Sequence, residues 1–167
     1  PFDNQAIHFL CRYLDKDGRP AAFTPDNILR QAAETVTKDT GYELWALGEL
    51  EFYLFGAPDS RLYQRPLQSG YHSSEPYAYY QDALKEMVDF LADMTGAVKY
   101  GHSEVGIIPE IKSGRKEIDG LYGEQYEIEM LPMPIAEAAD LMTLGKWVVR
   151  QIARRWNLLA TFAPKLE

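Results

Sequence analysis

Basic clusters, cysteines, long apolar runs and glycine-rich phosphate loops are scarce or missing in this chain, and each shortage removes a class of function. Acidic side chains number 25 against 17 Lys and Arg, for a net charge of −8, and no basic run interrupts them. Nucleic acids and anionic membranes reward clustered Lys and Arg, so neither is expected as a partner. A single cysteine, Cys11, excludes an internal disulfide and fits a reducing, cytoplasmic setting; in its apolar neighbourhood it reads as a small core residue. No apolar run approaches the roughly 20 residues of a membrane span, and no charged-then-apolar leader opens the chain. Neither GxxxxGK[ST] nor GxGxxG occurs, so any nucleotide must be held by metals and side chains. Internal repeats and low-complexity tracts are also absent.

What remains is a chain of 167 residues, 46% hydrophobic and 13% aromatic, enough for one globular domain. Its organising stretch is 45–55, an aromatic-rich strand carrying two acids. Period two puts Glu49 and Glu51 on the face of Trp45, Leu47, Tyr53 and Phe55, with Leu50, Phe52 and Leu54 on the other. Neighbouring carboxylates repel and resist burial unless a positive charge lies between them, and a divalent cation meets that need.

Around this strand, residues 6–14 read as a largely buried strand closed by the turn Asp15-Lys16-Asp17-Gly18. Within it, His8 reads as a core histidine. Thr24-Pro25-Asp26 opens a helix that Gly41 ends. Residues 56–74 are an aperiodic loop, and a helix follows over 75–94 with Tyr77, Tyr80, Leu84, Met87, Val88, Leu91 and Met94 on one stripe. A second strand, 97–105, places His102 and Glu104 on one face. A third, 123–130, places Gln125, Glu127 and Glu129 opposite Tyr126, Ile128 and Met130. Pro134 starts a last helix reaching 157, whose Arg150, Arg154 and Arg155 suit the C-terminal end of its dipole. Asp140 sits unexplained among its apolar residues, and 160–165 read as a further strand. The fold class is α+β, a curved antiparallel sheet backed by helices.

Acids repeated at strand centres are costly unless they serve a site. Glu49, Glu51, Glu104 and Glu127, with His102 nearby, form an oxygen-rich set suited to Mg²⁺ or Mn²⁺; zinc would want more His or Cys than the chain supplies. Four glutamates exceed what one magnesium usually takes from protein, so two ions sharing a phosphate-bearing substrate are expected, which points to phosphoryl transfer. A hydrolase using Glu49 and Glu51 as acid and base fits poorly, because same-face neighbours on one strand do not flank a bond from opposite sides.

Gly48-Glu49-Leu50-Glu51-Phe52-Tyr53-Leu54-Phe55 resembles the first metal-ligand strand of glutamine synthetases. His102-Ser103-Glu104-Val105 resembles that family's His-His-Glu-Val, and Gln125-Tyr126-Glu127-Ile128-Glu129 its Gly-Gln-x-Glu segment. The run from Ala138-Ala139-Asp140 through Lys146-Trp147-Val148-Val149-Arg150 to Ala160-Thr161-Phe162-Ala163-Pro164-Lys165 resembles the helix and strand that follow. Residues 11–25 resemble the passage into the catalytic domain.

The resemblance implies an ATP-dependent ligase joining L-glutamate to ammonia through a γ-glutamyl phosphate. By position, Glu51, Glu104 and Glu127 would hold the metal nearer glutamate, and Glu49 the metal on the ATP phosphates; Met130, Leu131, Pro132 and His102 would meet the nucleotide. It also implies a ring-forming homo-oligomer. The chain would then be a piece of the catalytic domain, with 1–20 leading in from an N-terminal small domain and 21–167 forming the incomplete catalytic part. Two further ligands of the second metal, a His and a Glu, would lie beyond 167, as would a Gly-rich substrate loop and the arginines that stabilise the phosphoryl group. Alone, the piece is expected to be inactive, and Leu166-Glu167 are expected to be a cloning remnant. Three departures stand out: Ser103 replaces the second His, Lys99 stands where an acid commonly contacts ATP, and 106–123 read as an insertion. Alternatives within the family are a ligase for glutamate and an organic amine or polyamine, and a noncatalytic member kept for assembly or regulation.

Overall fold

The computed structural model describes residues 6–59, 63, 65–164 and 166. They group into two compact units: the residues up to Gly48 together with Leu131–Leu144, and Glu49–Met130 together with the chain from Gly145 onward.

In the first unit, α1 (Pro25–Thr40) starts after Thr24 in extended conformation and ends at Gly41, whose φ of 76° is the left-handed C-cap that glycine takes without strain. A two-residue strand, β1 (Trp45–Ala46), pairs antiparallel with β5 (Met133–Pro134). The stretch read as one strand over 45–55 is therefore two. Gly48 marks the break, since a Cβ there would lie 2.2 Å from the Met142 sulfur. Residues 6–14, expected to be a buried strand, are an exposed segment whose one strand pairing among the described residues is the isolated Leu14↔Pro20 bridge. Ile7 and Phe9 are 81% and 79% exposed, and Cys11 and His8 are exposed rather than core residues. Apolar content alone does not make a strand when no neighbouring edge accepts its hydrogen bonds. The turn that follows does form: the Asp15 carboxylate accepts from the backbone N–H of Asp17 and Arg19, and Gly18 takes φ 77°. Asp140, in the first half of α3 (Ile135–Arg155), accepts ion pairs from Arg12 and, at 3.3 Å, from Arg30.

The second unit is built on a four-stranded antiparallel sheet in the order β3 (Val98–Ile108), β4 (Tyr122–Met130), β2 (Glu49–Gly56), β6 (Leu159–Thr161). Strict alternation in β2 and β4 sorts its faces. Leu50, Phe52, Leu54, Tyr126, Ile128 and Met130 are buried on one, and Glu49, Glu51, Glu127 and Glu129 occupy the other. α2 (Gln81–Thr95) contributes Ala83, Leu84, Met87 and Leu91 to the core, and the C-terminal half of α3 contributes Val148, Val149, Ile152 and Ala153. α2 starts later than expected because 74–78 form a turn instead, with Tyr77 and Ala78 N–H both bonded to the Ser74 carbonyl. Glu86 on α2 accepts from the Trp156 indole at 2.6 Å and pairs with Arg155 at 2.7 Å, which gives one of the α3 arginines a packing role.

α2 crosses β3 at Gly101, where a Cβ would come within 2.6 Å of Val88 Cγ2 and 3.3 Å of the Glu127 carbonyl oxygen. Gly101→Ala is expected to cost about 1–3 kcal/mol, the usual range for overpacking a close contact, and urea unfolding reads this directly. β3 runs on to Ile108 and β4 begins at Tyr122. Of the stretch 106–123, read as an insertion, residues 109–121 form the connection between the two strands, clipped by Ile111 and Leu121 and by the Asp119 carboxylate accepting from the Ser113 N–H and hydroxyl.

Candidate metal centre

Antiparallel register lines the acids up in rows across three strands. Glu51 of β2 faces Glu127 of β4, which faces His102 of β3; one row along, Glu49 faces Glu129, which faces Tyr100. Residues directly opposite share a face, so the period-two reading of Glu49, Glu51, Glu127 and Glu129 becomes a contiguous carboxylate patch. A register shift between Ser103 and Ile107 bends β3 as Glu104 joins it.

Two groups emerge, each with ligand atoms within 4.8 Å of one another: His102, Glu104 and Glu127, and Glu49, Glu127 and Glu129. Glu127 belongs to both. Glu51 belongs to neither; its carboxylate accepts from the Gln125 amide at 2.7 Å, while Gln125 Oε1 accepts from the Gly106 N–H. Glu129 joins the site although the sequence reading had placed it only on the right face. Met130 is buried as the last residue of β4, and Leu131 and Pro132 are exposed just beyond it.

His102 is the hub of the first group. Its Nε2 lies 3.5 Å from Glu127 and 3.8 Å from Glu129, and its Nδ1 lies 3.6 Å from Glu104. The His72 ring stacks on it at 4.3 Å, with Tyr71 edge-on at 5.7 Å and Tyr100 at 5.6 Å. Ser103 holds that wall in place. Its buried hydroxyl lies 2.8 Å from the carbonyls of Gly70 and Ser73, and its own carbonyl accepts from the His72 N–H. Residues 70–73 are therefore pinned to β3 next to the acids.

The electrostatics fit a hard divalent cation. Burial, followed by the carboxylates of Glu104, Glu49 and Glu51, pushes the Glu127 carboxyl up to about 7. Burial with Glu51 and Glu104 nearby also raises the Tyr53 hydroxyl. A carboxyl raised in the native state holds its proton more tightly there than in the unfolded chain. Its stabilising contribution is therefore complete below the ordinary carboxyl range and is lost as pH rises toward 7. A cation competes for the same oxygen, so Mn²⁺ is expected to raise the melting temperature little at pH 5 and progressively more up to pH 8. A shift independent of pH would contradict this.

A second buried acid was missed. Glu124 is in phase with Tyr126, Ile128 and Met130 and lies 1% exposed on the core face. It accepts from the Tyr79 N–H at 2.8 Å, from the Tyr122 hydroxyl at 2.7 Å and from the Tyr126 hydroxyl, and pairs with Arg65 at 3.0 Å. Its signal was a carboxylate at an apolar position of the period-two pattern, which requires a buried partner.

Residues 22–167 match the family model described as glutamine synthetase, catalytic domain. The glutamine synthetase of Thermus thermophilus is 29% identical over 170 residues, covering 99% of this chain and 34% of that protein. That of Staphylococcus aureus is 30% identical, with 96% and 33% covered. The chain thus spans about a third of the length of the curated relatives it matches. Among solved structures, Plasmodium falciparum glutamine synthetase superposes with a TM-score of 0.68 at 20% identity, over 91% of this chain and 33% of that one.

Proposed function

This chain belongs to the glutamine synthetase catalytic-domain family, and from that premise we propose that it supplies the metal-binding carboxylate face of an ATP-dependent ligase that joins glutamate to ammonia through a γ-glutamyl phosphate. The observation that carries the reading is the pair of oxygen-rich groups sharing Glu127. Mg²⁺ or Mn²⁺ bound there would neutralise charge on the phosphoryl group as it moves from ATP to the glutamate side chain. His102, Glu104 and Glu127 would hold one ion, with Glu51 beside them under the control of Gln125. Glu49, Glu127 and Glu129 would hold the other.

The remaining side chains prepare that face. Gln125 orients the Glu51 carboxylate by donating to it. Glu127 gives up its proton when a cation takes its place, so the patch avoids full repulsion while metal-free. Tyr71, His72 and Tyr100 wall His102, limiting water at its ring. Met130, Leu131 and Pro132 are proposed as nucleotide neighbours, with Met130 contributing only backbone because its side chain is buried. A cytoplasmic, ring-forming homo-oligomer is proposed for the whole protein on family membership. Among the described residues no helix is long and apolar enough to cross a membrane.

One observation favours a second reading, a member in which catalysis has lapsed: an ammonium group, that of Lys99, already sits on Glu129. Phosphate release by the full-length protein, with ATP and glutamate and with ammonium, methylamine or putrescine, decides between them. Release that depends on both glutamate and ammonium supports the synthetase. Preference for an organic amine moves the assignment to a sister ligase, and no release with any amine from protein that binds Mn²⁺ supports lapse.

A further inference from the structure

Lys99 and Glu129 form a device that the metal-site reading leaves unused. In a regular strand Lys99 and Tyr100 would point to opposite faces. Here the register of β3 against β4 passes from Val98↔Met130 directly to Tyr100↔Glu129, so Lys99 is an extra residue in a bulge. The bulge delivers both side chains to one carboxylate. Lys99 Nζ donates to Glu129 Oε2 at 2.5 Å and the Tyr100 hydroxyl donates to Oε1. Lys99 also lies 4.8 Å from the centre of the Tyr100 ring. Glu129 is nonetheless one of the three acids of the Glu49, Glu127 and Glu129 group. The Lys99 side chain is 44% exposed on a flexible stem, whereas that of Glu129 is 12% exposed and fixed in the sheet. The cation can leave; the carboxylate cannot.

We propose that Lys99 is an exchangeable counter-ion: its ammonium holds Glu129 while no polyphosphate is bound, and moves to a phosphate oxygen when a polyphosphate arrives, releasing Glu129 to a divalent cation. This inference rests on the metal-site reading and adds to it an order of events. The group containing Glu129 takes its ion weakly alone and tightly together with polyphosphate, because a single ammonium is either a competitor or an ally of the bound charge. The hydrogen bonds from Lys99 and then Tyr100 hold the Glu129 carboxyl below its ordinary range while the ammonium is in place. Lys99 acts here as a positioning residue for the metal group.

The test is Mn²⁺ binding by calorimetry and by EPR of free Mn²⁺, on the chain and on Lys99→Met, with and without inorganic tripolyphosphate. Uptake of Mn²⁺ by tripolyphosphate alone is measured in parallel and subtracted. In the unmodified chain tripolyphosphate is expected to tighten the weaker Mn²⁺ site by about tenfold or more; Lys99→Met is expected to tighten it by about tenfold without tripolyphosphate and to retain less than about a threefold further gain. In a Glu129→Gln background, Lys99→Met should change Mn²⁺ affinity by less than about twofold, which a general loss of positive charge would not reproduce. Mn²⁺ binding that Lys99→Met leaves unchanged or weakens would overturn the exchange while leaving the metal site standing. No Mn²⁺ binding to the unmodified chain would overturn both.

Discussion

Glu127→Gln is expected to abolish Mn²⁺ binding at both acid groups, lowering affinity about 100-fold or more, and at the same time to raise the melting temperature of the metal-free chain. The two effects share one cause. Glu127 is the only acid common to both groups, so its loss leaves two protein ligands in each, and the loss of a shared ligand costs more than the loss of a supporting one. The same carboxyl is held near pH 7 by burial and by three neighbouring acids. At pH 8 it is charged against them and destabilises the fold. An uncharged amide of the same shape removes that repulsion. Glu51→Gln, by contrast, removes an acid outside both groups that already has an amide partner, and should lower Mn²⁺ affinity by less than about tenfold. Thermal unfolding at pH 8 with and without Mn²⁺ separates the cases. A Glu127→Gln chain that still gains stability from Mn²⁺ would show that the two groups do not depend on this residue.

Glu124→Ala is expected to give the largest loss of stability, about 3–5 kcal/mol, with no specific effect on Mn²⁺. Removal of the carboxylate strands the Arg65 guanidinium, 7% exposed, in the interior, where its Nε and Nη1 already lack hydrogen-bond partners among the described residues. It also takes away the acceptor to which the Tyr122 and Tyr126 hydroxyls and the Tyr79 N–H donate. Burial, with Glu124 adjoining, holds both phenols above the ordinary tyrosine range, so each stays neutral and donates. Tyr126→Phe removes one donor to Glu124 and the acceptor of the Tyr80 N–H, and should cost about 1–3 kcal/mol. Denaturant unfolding of the two variants measures the difference. If Glu124→Ala proves no worse than Tyr126→Phe, the buried carboxylate is not the anchor of Arg65 and the tyrosines around it.

Much of this was legible in the sequence because side-chain alternation is a property of any extended chain. Glu49 with Glu51, and Glu127 with Glu129, fall on one face wherever β2 and β4 form. What alternation does not carry is register. The rows that make Glu127 the shared residue depend on which position of β2 and β3 lies opposite it. The bulge that turns Lys99 toward Glu129 breaks the period from which faces were read. The apolar stretch 6–14 shows the reverse error: its pattern is strand-like, but strand structure needs a partner edge, and apart from the Leu14↔Pro20 bridge the described residues offer it none. Glu124 was hidden because an acid in phase with Tyr126 and Ile128 looks like an exception to the pattern until Arg65, 59 residues earlier, is found beside it.

Crystals of the chain soaked in Mn²⁺, with anomalous difference maps collected at the manganese edge, would locate the ions themselves. Two peaks are expected, one beside His102, Glu104 and Glu127 and one beside Glu49, Glu127 and Glu129, with Glu127 common to both. Peaks confined to other carboxylates, or a single peak that leaves Glu127 uncoordinated, would contradict this.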